Sequence, residues 1–370
     1  MMTQAPKRIL IIRLSAIGDV LRVLPALQVL KRHFPNSFIG WVAEESSYDI
    51  LAAQPTIDEV FLFPKNSLRS KLTSLRHFNA GAREFLSFIR DIRSRRFDLA
   101  IDFHGLFKSG IISLLSGAPE RVGFARGDCK ECNFLFNNRR FSLGQRRMSR
   151  IERNLALLQN MGLDTHHDRP VIYVPESDRE FVRQFFRQQQ IDRRRPVVVI
   201  HPGTSPTTPY KRWEPYRYAV VADQAIAARA AQIIFTWAGT EQEIVHEITS
   251  MMKYRAIVAP ELQNLCQLAA LFASSDLYVG SDTGPMHLAA FVGIPVVAVF
   301  GPTDPVVNEP YARTPHIIIR KETPCSPCRK YTCSKRDCIK DVSETNVIKA
   351  ITIMLDYVQE KKAGQAAFGL

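Results

Sequence analysis

Leu277-Tyr278-Val279-Gly280-Ser281-Asp282-Thr283-Gly284-Pro285-Met286-His287-Leu288-Ala289-Ala290-Phe291 decides how this chain folds. Its first four residues are a short apolar run, which reads as a buried strand, and Leu288 onward reads as the start of a helix. Pro295 to Phe300 is a second apolar run, ending in Gly301-Pro302-Thr303. The unit is strand, tight loop, helix, strand. Helix N-terminal N–H groups at such a loop meet the positive end of the helix dipole, which suits an anion such as a phosphate. Thr283 and Gly284 allow close backbone approach, Pro285 suits a first helical position, Asp282 can accept a hydroxyl hydrogen bond, and His287 lies within one turn. A capped helix without a ligand explains the same stretch.

The pattern recurs toward the N-terminus. Arg8 to Leu14 reads as a strand buried on both faces, as in a parallel sheet, and Ser15 to Asp19 as the loop after it. Val20, Leu21, Val23, Leu24, Leu27 and Leu30 keep a helical period. Asp19 thus sits at a helix start at the carboxyl end of a strand, the edge where open α/β sheets bind ligands; a helix-capping role accounts for it equally well. Further strands are expected at Phe38–Ala43, Glu59–Phe63 and Asp98–Phe103, the last ending at His104-Gly105. Polar residues from about Pro175 to Arg195 mark a boundary. Val197–Ile200 restarts the pattern and ends in His201-Pro202-Gly203-Thr204, with Lys211-Arg212-Trp213 close behind. Ile233–Trp237 follows, then a strand near Ala256–Val258 and a helix near Leu262–Phe272. Ser343 opens a last helix with Val347, Ile348, Ile351, Met354, Leu355 and Val358 on one face. The expected architecture is α/β: two doubly wound Rossmann-like domains facing across a cleft, at 1–180 and 181–345, followed by a helix and tail at 346–370.

The chain has 370 residues and a formal net charge of +13, which calls for an acidic partner: nucleic acid, an anionic membrane face or a phosphorylated substrate. Two stretches carry much of the charge. One runs from Lys65 to Arg96 and includes an amphipathic helix through Phe85, Phe88, Ile89 and Ile92; the other runs from Arg121 to Arg153. A solvated face explains the first, and so does docking on anionic lipid or a phosphorylated acceptor; the second, with Phe124, Phe134, Phe136 and Phe141 among its arginines, has the composition of a nucleic-acid surface. The second stretch holds no DNA- or RNA-binding motif, so nucleic acid is not expected as a partner. No apolar run approaches the roughly 20 residues of a membrane span, and the polar N-terminus leads straight into a strand, so the expected compartment is the cytoplasm. Cys325-x2-Cys328-x4-Cys333-x4-Cys338 has compact metal-ligand spacing, and either a structural zinc or iron knot or free thiols fit it. Cys129-x2-Cys132 is a second half-site or nothing.

Taken together, Arg13-Leu14-Ser15-Ala16-Ile17-Gly18-Asp19-Val20-Leu21, Asp102-Phe103-His104-Gly105-Leu106, His201-Pro202-Gly203-Thr204 with Lys211-Arg212-Trp213, Ser281 to Ala290, and Phe300-Gly301-Pro302-Thr303-Asp304-Pro305 resemble the ADP-heptose:lipopolysaccharide heptosyltransferases, glycosyltransferase family 9. The resemblance spans nearly the whole chain. It implies the GT-B fold, with the acceptor on the N-terminal domain and the nucleotide-sugar on the C-terminal one. It also implies inverting transfer of L-glycero-D-manno-heptose from ADP-heptose to the inner core of lipopolysaccharide, on Kdo-lipid A or a heptosylated core. Asp19 becomes the general base and Lys211 the contact to the donor phosphates. Gly203, Thr204, Asp282, Thr283, Gly284 and His287 hold the donor, with Glu241 or Glu243 on its ribose. Lys65, Arg69 and Arg126 are the acceptor-binding candidates.

The chemistry fits these roles. A carboxylate in hydrogen-bond reach takes the proton of the attacking hydroxyl, and a Lys with helix N-terminal N–H groups stabilises the leaving diphosphate. The sequence contains no Asp-x-Asp pair for magnesium, so no cofactor is expected for catalysis. The resemblance further implies peripheral association with the inner face of the inner membrane. Another ADP-sugar, a non-lipid acceptor, or a silent nucleotide-binding scaffold on the membrane face are the competing readings.

Overall fold

The computed structural model describes residues 5–67, 78–145, 147–328 and 332–367; Arg69 lies outside them. Residue contacts divide the chain into two units, Met1–Tyr173 and Val174–Leu370.

The first unit is built on six parallel strands: β1 (Arg8–Ile12), β2 (Phe38–Ala43), β3 (Glu59–Leu62), β4 (Leu99–Asp102), β5 (Glu120–Phe124) and β6 (Arg139–Phe141). Their order is β3-β2-β1-β4-β5-β6. β1 is central because Ile9, Leu10, Ile11 and Ile12 are fully buried, and a β-branched run suits a strand covered on both faces. Ile12 stands in register with Val42 on one side and Asp102 on the other. Leu10, Ile12 and Leu14 pack with Val42, Phe61, Phe88, Ile92 and Phe97, each contributing roughly 1.5–3 kcal/mol of apolar burial. Phe88, Ile89 and Ile92 come from the helix Phe78–Ser94, the amphipathic helix that the sequence predicts.

β5 and β6 run through the second basic stretch, where the sequence suggests no strand. The charge is accommodated on a sheet edge: Arg139 pairs with Glu120 and lies 5.4 Å over the Phe141 ring, and Arg121 Nη1 donates to the Ala118 carbonyl at 2.8 Å. Short, charged edge strands of this kind resist pairing with other chains.

The second unit repeats the plan with β7 (Val197–His201), β8 (Gln232–Phe235), β9 (Ile257–Val258), β10 (Leu277–Ser281), β11 (Val296–Phe300) and β12 (His316–Arg320), in the order β12-β11-β10-β7-β8-β9. Counted from its own first strand, this is the order of the first unit. The helix Glu176–Gln188, which runs through the stretch where the sequence suggests a boundary, packs against the helix Leu265–Ala273 within this unit. Val347, Ile351, Met354 and Leu355 of the helix Glu344–Ala367 join the core around Val297 and Val299. Its approach is fixed by Trp213 Nε1, which donates to the Val342 carbonyl at 3.1 Å, and by Arg229 paired to Asp356 at 2.7 Å.

In each unit the chain leaves the first strand toward one edge and returns beside it with the fourth. The carboxyl ends of β1 and β4, and of β7 and β10, are therefore the topological switch points where doubly wound sheets bind ligands.

Candidate functional site

At the first switch point, α1 (Ile17–Leu21) begins just after β1. Asp19 lies inside the first turn; Ala16 occupies the cap position without a side-chain hydrogen bond. Asp19 Oδ2 lies 2.6 Å from Arg13 Nη2, and its Oδ1 lies 2.8 Å from Arg22 Nη1 and 3.3 Å from Arg150 Nη1. Its side chain remains 20% exposed. Arg150 opens the helix Arg150–Asn160, whose start is held by a capping box: Ser149 Oγ accepts from Glu152 N, and Glu152 Oε2 accepts from Ser149 N. Arg13 is buried, which lowers its pKa; the neighbouring Asp19 opposes that shift.

Asp102 ends β4 and is fully buried. Its Oδ1 accepts from the main-chain N–H of His104 at 2.9 Å and of Gly105 at 3.0 Å; its Oδ2 accepts from Ser109 Oγ at 2.9 Å and Asn133 Nδ2 at 2.6 Å. Burial raises the Asp102 pKa, and these bonds act against the rise. Beyond β2, Glu44 accepts from Lys65 Nζ at 2.8 Å and Lys108 Nζ at 2.7 Å. Burial pushes the Glu44 carboxyl up, but the two ammoniums outweigh it and hold the pKa below its ordinary value. Glu44, Phe63 and Lys65 line a pocket of about 550 Å³. Arg126 lies in the turn after β5, exposed, with its guanidinium 5.9 Å from the Phe134 ring centroid.

At the second switch point, His201 is the last residue of β7. Its Nδ1 lies 3.0 Å from Thr236 Oγ1 and its Nε2 lies 3.5 Å from Glu241 Oε2. Burial lowers the imidazole to about 4 and keeps it neutral near pH 7. Glu241 opens the helix Glu241–Met251 and accepts from Ala238 N at 2.9 Å; burial raises its pKa. The Glu241 carboxylate occupies the space a side chain would need at position 203, since a Cβ there would stand 2.1 Å from Glu241 Cδ. Glu243, the other acidic candidate, is exposed. Thr204 is buried, and its Oγ1 has no hydrogen-bond partner among the described residues.

Lys211 ends the single turn Pro209–Lys211 and donates from Nζ to Asp282 Oδ2 at 2.8 Å and to the Asp282 carbonyl at 3.2 Å. His287 Nε2 stands 3.6 Å from Asp282 Oδ1. Thr283 is the cap of the helix Gly284–Val292. Gly284 is thus the first helical residue and Pro285 the second, one position later than the sequence suggests.

All seven cysteines are free thiols. Burial raises the Cys338 pKa, and the neighbouring Cys328, Cys325 and Cys333 thiols add to the rise. Four thiols have the chemistry to ligate zinc or iron. Among the described residues, however, no group of three or more His, Cys, Asp or Glu is arranged to hold a metal ion.

The structure therefore gathers Gly203 with Glu241, and Lys211 with Asp282 and His287, around the second switch point. It surrounds Asp19 with three guanidiniums, and it sets Lys65 on Glu44. Sequence reasoning missed the guanidinium cage and the ring environments of His104 and His201. The i,i+3 spacing of Asp19 and Arg22 was a usable signal; Arg150 has none, being distant in the chain.

Known proteins supply the remaining comparison. Residues 85–339, more than half of the chain, match the sequence profile described as Glycosyltransferase family 9 (heptosyltransferase). The chain is 27% identical to the lipopolysaccharide core heptosyltransferase OpsX of Haemophilus influenzae, over 85% of each protein. It is 28% identical to lipopolysaccharide heptosyltransferase 1 of Pseudomonas aeruginosa, over 88% of this chain and 87% of that one. Among solved structures, a glycosyl transferase family 9 protein of Veillonella parvula superposes with a TM-score of 0.79 at 25% identity, over 94% of this chain and 97% of the other. Two units of Rossmann strand order, ligand-edge loops furnished with a carboxylate in one and a Lys-Asp-His set in the other, and a profile match across both place this chain in glycosyltransferase family 9, the heptosyltransferases.

Proposed function

We propose that the protein transfers L-glycero-D-manno-heptose from ADP-heptose to the inner core of lipopolysaccharide, with inversion at the anomeric carbon. The observation that carries this reading is the contrast between the switch points in a chain of this family. One presents an accessible carboxylate caged by cations; the other presents a lysine beside a helix start.

In this reading the acceptor binds at the first unit. Asp19, paired with Arg13, Arg22 and Arg150, takes the proton of the attacking hydroxyl. The acceptor oxygen bonds to the anomeric carbon as the bond from that carbon to the phosphate oxygen breaks, and ADP departs with the electron pair. Lys211 leaves Asp282 for the diphosphate, and the first N–H groups of the helix Gly284–Val292 share the developing charge. Glu241, pressed against Gly203, accepts from a ribose hydroxyl, while Thr204, Thr283 and His287 line the donor. Lys65 and Arg126, together with Arg69, meet the acidic groups of the acceptor.

No helix among the described residues is long and apolar enough to cross a membrane. The net charge of +13 favours an anionic surface, so the reading places the protein peripherally on the cytoplasmic face of the inner membrane. A structural zinc or iron at Cys325, Cys328, Cys333 and Cys338 belongs to the same reading; it rests on their spacing and free thiols, and metal analysis of the purified protein decides it.

The test is ADP release from ADP-heptose with a Kdo-lipid A acceptor, with the anomeric configuration of the product read by NMR. Turnover with inversion is the expected result. Tight ADP-heptose binding without turnover moves the acceptor to a heptosylated core or a non-lipid molecule. No ADP-heptose binding overturns the donor.

A further inference from the structure

His104, two residues beyond β4, has no part in the mechanism above. Its loop is immobilised from beneath, because Asp102 holds the main-chain N–H groups of both His104 and Gly105. Gly105 takes φ +71, a left-handed conformation that glycine adopts freely. On this fixed loop the imidazole is set with both ring nitrogens shielded, and neither has a hydrogen-bond partner among the described residues. One unmet buried polar group costs about 1–3 kcal/mol. Two on a single ring that is anchored so firmly indicate a group built to receive a partner from outside the chain.

The surroundings identify that partner. Arg13 reaches the carbonyl of Phe103 with Nη1 at 2.8 Å and Asp19 with Nη2 at 2.6 Å, so one guanidinium ties the His104 loop to the carboxylate. Lys108, one turn on, is engaged by Glu44. Burial, with Arg13 and Lys108 adding to it, lowers the imidazole to about 3. The ring is therefore neutral near pH 7, with one nitrogen a donor and the other an acceptor. A phosphate or carboxylate arriving here would be taken by the guanidiniums and ammoniums. A hydroxyl, which donates and accepts, matches the neutral ring.

We propose that His104 is a positioning residue of the acceptor site, binding a hydroxyl of the acceptor sugar next to the one that Asp19 deprotonates. This deepens, and rests on, the acceptor reading above. The test compares wild type with His104→Phe, which keeps the ring and removes its nitrogens, and His104→Gln, which restores a donor and an acceptor. Steady-state turnover is measured with Kdo-lipid A and ADP-heptose, and thermal unfolding alongside. The Phe variant is expected to raise the acceptor KM at least tenfold, with the ADP-heptose KM and the melting temperature unchanged or the latter higher; Gln is expected to recover most of the loss. An acceptor KM within twofold of wild type in the Phe variant overturns the proposal. So does a loss shared equally with the donor KM and the melting temperature, which would mark a structural role. If wild type does not turn over Kdo-lipid A, the comparison is made with a heptosylated core; if wild type uses neither, the lipopolysaccharide-acceptor reading falls and the His104 assignment falls with it. If wild type is active and the Phe variant is indistinguishable from it, His104 alone falls.

Discussion

The two switch points share a strand order and differ in how their loops are furnished. In the first unit the crevice is built from side-chain charge. Three guanidiniums converge on Asp19, two ammoniums converge on Glu44, and the loop amides after β4 are consumed by Asp102. In the second, one ammonium meets Asp282, Glu241 lies on a bare glycine Cα, and a nine-residue helix points its start at the crevice. On the proposed reading one scaffold carries a deprotonating site and a nucleotide-diphosphate site, distinguished by the loops and helix starts at the strand ends.

Four measurements break or sharpen this comparison. Asp19→Asn removes the base while keeping the side-chain size; turnover is expected to fall about 10²–10⁴-fold with ADP-heptose affinity retained, as read by ADP release and calorimetry. Lys211→Ala is expected to lower kcat by about 10²–10³-fold and to weaken donor binding as well, so that the two variants part on donor affinity. If both lose donor affinity alike, the division of labour between the switch points is wrong.

The third measurement concerns pH. His201 titrates at about 4 in the folded protein against 6.5 ordinarily. Between those values the unfolded chain binds a proton that the folded chain refuses. Stability is therefore complete above pH 6.5 and falls as the pH drops toward 4, by roughly 1.4 kcal/mol per pH unit. Denaturant titrations of wild type beside His201→Asn should show this slope only in wild type, apart from a contribution of the same sign from His104, whose window reaches down to about 3. The smallest effect is expected from Gly203→Ala. Its new methyl must displace the Glu241 carboxylate, the flexible end of a side chain, so folding should be nearly unaffected while ADP-heptose affinity drops about tenfold, roughly 1.4 kcal/mol. An unchanged affinity would remove Glu241 from the donor site.

Much of this was legible in the sequence, for identifiable reasons. β1, β7, β10 and β11 are unbroken apolar runs because both of their faces are covered, and the loops after them announce themselves where such runs stop. β5 and β6 were hidden because their arginines satisfy themselves within the sheet and at its edge, so the segment reads as a basic, aromatic-studded surface. β12 is a half-buried edge strand whose Ile317-Ile318-Ile319 run was a usable signal, bounded by His316 and Arg320. The site divides in the same way. Gly203, Lys211 and Asp282 lie in recognisable loops, whereas the meeting of Arg150 with Asp19 depends on the tertiary fold alone. Glu241 over Glu243 is likewise a matter of which carboxylate faces Gly203, and helix phase within a single turn does not decide that without coordinates.

The helix Glu344–Ala367 has a consequence for how the protein is made. Its Val347, Ile351 and Leu355 seal a core that includes Val198, Ile233 and Val297, yet it is synthesised after every strand it covers. Vectorial translation lets the first unit complete its sheet while the second is still emerging, since domains generally fold as units from the N-terminal side. The second unit instead holds an unsealed apolar face until this helix arrives. A ribosome stalled before residue 344 should therefore display a protease-resistant first unit attached to a protease-sensitive second one.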